Sequence, residues 1–174
     1  MVDEERNKLR ERGMWPSVNG DGKHADEKLE PVIRRVEDVK KLPVEWLWNA
    51  RVPRGMVSLC DGDPGCGKST LSCDLAARVS RGWAMPSEPA DGQVKKPAGV
   101  LLLNAEDDPE RTIRPRLDAA SADVKRVHIL TAIRLGADDE RPPVLPYDLP
   151  LIEDFIRDEG IALVVVDPFM AFLA

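Results

Sequence analysis

Histidine and cysteine are scarce in this sequence, at two and three of 174 residues. Cys60, Cys66 and Cys73 are too few and too irregularly spaced for a zinc site, and no histidine stands near them. Unpaired thiols suit a reducing compartment, so a cytoplasmic location is expected. Long apolar runs are missing as well. The longest are strand-sized, which excludes a helical membrane span and leaves no membrane partner expected. The opening MVDEERNKLRER is charged rather than apolar, so no secretory leader is expected. Positive charge is also in deficit. Lys plus Arg number 25 against 31 Asp plus Glu, a net of -6. That balance argues against a surface built to neutralise many nucleic-acid phosphates, although a local basic patch stays compatible with it.

What is present suits a soluble domain with a core, at 43% hydrophobic and 32% charged residues. Residues 1–41 are dense in charge and poor in apolar periodicity, and are expected to form a flexible segment. Within them, PVIRRVEDVKKL (Pro31 to Leu42) predicts one short amphipathic turn or two. From Leu42 the pattern changes. LPVEWLWNARVPRG is an apolar lead-in, and MVSLCD (Met56 to Asp61) predicts a strand running into a glycine-rich loop. KSTLSCDLAARVSRG predicts a helix with Leu71, Leu75, Ala76 and Val79 on one face and Gly82 as its stop. GVLLLN predicts a strand buried on both faces, Pro109 to Ala120 a helix, and VHIL a short strand. LPLIEDFIRDEG predicts a helix with Leu151, Ile152, Phe155 and Ile156 inward, and IALVVVDP a last apolar strand. Strands alternating with helices imply an α/β fold with a parallel sheet between helices, over residues 42–174.

GDPGCGKST, Gly62 to Thr70, carries the strongest chemical signal. Gly62, Gly67, Lys68 and Ser69 satisfy the full phosphate-loop spacing, between a predicted strand and a predicted helix. The glycines let the backbone curl so that successive amides of Gly62, Asp63, Pro64, Gly65, Cys66 and Gly67 form a concave seat for an anion. (Pro64 contributes shape only, having no amide hydrogen.) The helix start adds unpaired N–H groups and its dipole. Lys68 would reach the β- and γ-phosphates, Ser69 would ligate Mg²⁺, and Thr70 would donate toward the α-phosphate. The bland alternative is a glycine turn ahead of an ordinary helix. Cys66 has no histidine partner nearby and is read as a spectator, though alkylating it would obstruct the loop.

Two acids complete the set. Asp167 ends the strand LVVVD, at the edge where ligands bind in parallel sheets, and is read as the second Mg²⁺ holder against a simple turn-capping role. Glu106, after LLLN, is the candidate for orienting or deprotonating the attacking water, against a merely solvated acid. Asp107 and Asp108 are expected to open the next helix.

RGMVSLCDGDPGCGKST, LLLNAEDD, TIRPRLDAA and ALVVVDPFMAFLA together resemble the RecA-like AAA family ATPases of bacteria and their phages, a group that includes RepA-type plasmid replicative helicases. The resemblance runs from about Leu42 to Ala174. It implies a P-loop NTPase with a RecA-like sheet in which Lys68, Ser69, Glu106 and Asp167 bind and hydrolyse Mg-ATP, with Lys68 and Glu106 catalytic. It also implies DNA as a partner and a homo-oligomeric ring for the full-length protein, and gives Arg114 and Arg116 no assigned role. Members of that family continue past the Asp-Pro motif, with a further strand between the P-loop strand and the Asp167 strand. The chain is accordingly read as C-terminally incomplete. A nucleotide-binding module without turnover and a small-molecule kinase stay open as alternatives. A GTPase does not fit, for no guanine-reading N-K-x-D occurs.

Overall fold

The computed structural model describes residues 31–89, 96–134, 136 and 139–173. Of the flexible segment expected over 1–41, the part up to residue 30 lies outside the described residues. The chain divides into two compact units, Met1–Val44 and Glu45–Ala174. In the first, the described residues hold one 3-10 turn, Val36–Asp38, where one short amphipathic turn or two is expected, and it extends into no α-helix. Val32, Ile33 and Val36 are all exposed. A helix this short, without an apolar surface to pack on, does not repay the cost of its first turn.

The second unit opens with strands β1 (Trp46–Trp48) and β2 (Val52–Pro53), paired antiparallel. Helix α1 (Lys68–Arg81) follows, ended by Gly82, whose N–H donates to the Val79 carbonyl at 3.2 Å. Strand β3 (Gly99–Asn104) leads through a π-helical turn, Pro109–Ile113, into α2 (Arg114–Ala119). Strand β4 (Val127–Ile129) and the small ladder of β5 (Ile133–Arg134) and β6 (Glu140–Arg141) come next. Helix α3 (Leu149–Asp158) and strand β7 (Ile161–Asp167) complete the named elements, before a 3-10 turn at Phe169–Phe172.

The main sheet has the order β4-β3-β7, all parallel. GVLLLN is its centre because it is apolar at every position but the last; Val100 to Leu103 are all buried. One face packs on α1 and α2 through Cys73, Ala76, Ala77, Val79, Ile113 and Leu117. The alanines bring the α1 backbone close to the strands. The buried Ser80 hydroxyl donates to Ala77 O at 3.0 Å and accepts the Asp123 N–H at 3.0 Å, tying α1 to the segment after α2. The other face gathers Leu101, Leu103, Leu145, Ile152 and Phe172.

Three sequence expectations change here. Met56 to Asp61 pairs with no strand among the described residues, and Val57 and Leu59 are 95% and 84% exposed. The run has the residues of a strand but no neighbouring ladder to complete its hydrogen bonds. On α3 only Ile152 is fully buried, whereas Leu151 and Phe155 face outward. The expected single helix from Pro109 to Ala120 begins as a π turn around Pro109 before becoming α-helical.

Candidate functional site

The glycine loop is built as its residue types require. Gly65 and Gly67 have φ of 79° and 93°, left-handed values that a side chain disfavours. Gly67 caps α1 without contributing a side chain, so the Lys68, Ser69 and Thr70 amides lie in a first turn with no acceptor of their own. A run of free donors at the positive end of a helix fits a phosphate.

Lys68 curls back over this loop. Its Nζ donates to the carbonyls of Gly62 at 2.6 Å and Asp63 at 3.0 Å, with Cys66 Sγ 3.9 Å away. The ammonium thus lies across the loop, held by two neutral carbonyl oxygens and the Cys66 sulfur. An anionic oxygen would be a stronger acceptor for it.

Ser69 and Asp167, 98 positions apart in sequence, meet: Ser69 Oγ donates to Asp167 Oδ2 at 2.9 Å. The contact arises because α1 starts and β7 ends at the same edge of the sheet, where parallel strands leave their crevice. No cluster of three or more His, Cys, Asp or Glu suited to a metal exists among the described residues. One hydroxyl and one carboxylate still fit Mg²⁺, which takes few protein ligands and completes its shell with water and phosphate oxygens.

Glu106 lies on the loop leaving β3, exposed, and its carboxylate has no hydrogen-bond partner among the described residues. The backbone beneath it is tied down. Asn104, which ends β3 in register with Asp167, accepts on Oδ1 from the N–H groups of Glu106 at 3.0 Å and Asp107 at 2.7 Å. Asp107 pairs with Arg116 at 2.6 Å, while Asp108 caps the following turn by accepting from the Glu110 and Arg111 amides. The two acids expected to open a helix therefore divide the work: Asp108 caps and Asp107 holds Arg116. Arg114 pairs with Asp118 on the surface.

A small cavity at this edge is lined by Ser69, Cys73, Asn104, Asp107, Arg116 and Asp167. Burial pushes the Cys73 thiol up, with Arg116 opposing and Asp107 and Asp167 adding to the rise. It stays protonated near neutral pH and offers no nucleophile. Asn104 and Arg116 are the members that sequence reasoning passed over. An Asn ending an apolar strand, one residue ahead of acids, is an Asx-turn signal that could have been read. Nothing in the spacing of Asp107 and Arg116 announces their pairing.

A family model described as an AAA domain matches residues 24–174. Neither the curated proteins nor the solved structures yielded a match to the chain. With the family model covering most of its length, the chain belongs to the AAA-type ATPase family.

Proposed function

We propose that this chain binds ATP on the loop Gly62 to Thr70 and hydrolyses it in a Mg²⁺-dependent reaction. The observation that carries the reading is the contact of Ser69 with Asp167 at 2.9 Å beside a helix start whose amides are free. Lys68 would exchange its two carbonyl partners for phosphate oxygens, neutralising charge that builds as the terminal phosphoryl group departs. Ser69 and Asp167 would hold Mg²⁺, which would supply positive charge to the phosphate chain. Glu106, whose carboxylate has no partner among the described residues, would orient or deprotonate the attacking water.

Phosphate release tests this. Wild type should turn over, Glu106→Ala should bind nucleotide but lose turnover by about 100-fold or more, and Lys68→Ala should bind poorly. Equal release by wild type and Glu106→Ala would count against hydrolysis through this site.

A second reading, nucleotide binding without turnover, draws on the run Met56 to Asp61, which pairs with no strand among the described residues and so gives the loop no ladder on its N-terminal side there. Under it Lys68→Ala still loses binding, but Glu106→Ala changes nothing. The likeness to RepA-type replicative helicases extends the proposal to a RecA-like, cytoplasmic, ring-forming ATPase that works on DNA. A gel shift with single-stranded DNA at low salt, and stimulation of phosphate release by that DNA, would support the extension; failure of both would remove it.

A further inference from the structure

Three consecutive amides follow β3, and each is bonded. Ala105 N–H donates to the Asp167 carbonyl at 3.2 Å, and the Glu106 and Asp107 N–H groups both donate to Asn104 Oδ1 at 3.0 and 2.7 Å. The far end of the same loop is fixed by Asp107, whose carboxylate meets Arg116 of α2 at 2.6 Å. In the midst of this the Glu106 carboxylate alone has no partner among the described residues. The backbone is held at both ends and one side chain is left free to act.

Hydrogen bonds from two successive amides to one side-chain oxygen fix a turn that Gly or Ala at the same position would leave to fluctuate. Asn104 also faces Asp167 across the sheet. The turn therefore starts one ladder step from the carboxylate that meets Ser69.

We propose that Asn104 is a positioning residue: its Oδ1 sets the turn that carries Glu106 at the sheet edge where β3 and β7 end, and so governs turnover but not nucleotide affinity. The inference rests on the hydrolase reading given above. An acceptor oxygen two bonds from Cβ is the feature that matters, so Asn104→Asp keeps the function and Asn104→Ala removes it. The Asp107–Arg116 pair supports the same turn from its other end.

Two measurements on the full chain test this. In phosphate-release kinetics, Asn104→Ala should lower kcat by about 10- to 100-fold, the size of effect expected of a misplaced group, with KM unchanged within about threefold. Asn104→Asp should recover most of the loss. By NMR on the nucleotide-free chain, the Glu106 and Asp107 amides should exchange with solvent about tenfold faster in Asn104→Ala and at the native rate in Asn104→Asp. Unchanged amide exchange in Asn104→Ala overturns the proposal, as does a loss that Asn104→Asp shares in full or one confined to KM. A wild-type chain that binds nucleotide yet releases no phosphate overturns the hydrolase reading instead, and the exchange measurement then decides by itself whether Asn104 holds the turn.

Discussion

Single side chains decide the chemistry of this edge, and their roles differ in how plainly the sequence shows them. Lys68 and Ser69 were legible because a phosphate loop is a local pattern, with every participant within nine positions. Asn104 and Arg116 were not, because their roles depend on partners supplied by the fold: a turn for Asn104, and for Arg116 a carboxylate on another loop. Asp148 is a comparable case away from the site. It is buried, and its carboxylate takes two bonds from Arg141 at 2.6 and 2.7 Å. The Arg141 bonds hold the Asp148 carboxyl below its usual range; burial opposes them and the Val144 amide assists. A carboxyl whose folded value is depressed contributes stability above its unfolded value, near 3.9, and loses it as pH falls through the folded one. Asp148→Asn should therefore unfold at lower urea than wild type at pH 7. The gap should narrow steadily once the pH drops below about 4. A gap independent of pH across that window would show that the ion pair is not its source.

Elements were legible where tertiary context agreed with local preference. Helix α1 lies where its periodicity and Gly82 indicate, and β3 and β7 match their uninterrupted apolar runs. Departures came where a neighbour was needed. Met56 to Asp61 has strand residues but no ladder partner among the described residues, and Phe155 of α3 turns outward to meet the His128 ring edge-on at 5.1 Å. Strand β3 is the element on which the site most depends, since it is central in the sheet, pairs with β7 and ends in Asn104. Leu103, 1% exposed, is its largest fully buried side chain. Leu103→Ala should cost about 3 kcal/mol, the lost transfer energy plus a cavity that close packing cannot fill. Urea denaturation read by circular dichroism would check it, and a loss below about 1 kcal/mol would mean that the strand is looser than its burial implies.

The whole molecule brings together parts that lie far apart in sequence. Parallel pairing of β4, β3 and β7 puts the C-terminal end of each of these strands on one side of the sheet. That is why the start of α1, the end of β3 and the end of β7 converge, and why Ser69 and Asp167 can touch across 98 positions. The fold class and the side of the sheet that carries the site followed from alternating elements. Among the described residues β7 ends the main ladder on the side away from β3, a placement that local patterning does not encode. Because amides, ammonium, hydroxyl and carboxylate converge on one edge, anion binding there should be cooperative with the metal. Calorimetric titration of the folded chain with Mg-ATP tests this most directly. Binding heat should appear, weaken when Mg²⁺ is omitted, and fall by about 100-fold in affinity in Lys68→Ala, the loss expected of a charge-assisted contact. Absence of heat in wild type, or equal affinity in Lys68→Ala, would contradict a nucleotide seat at Gly62 to Thr70.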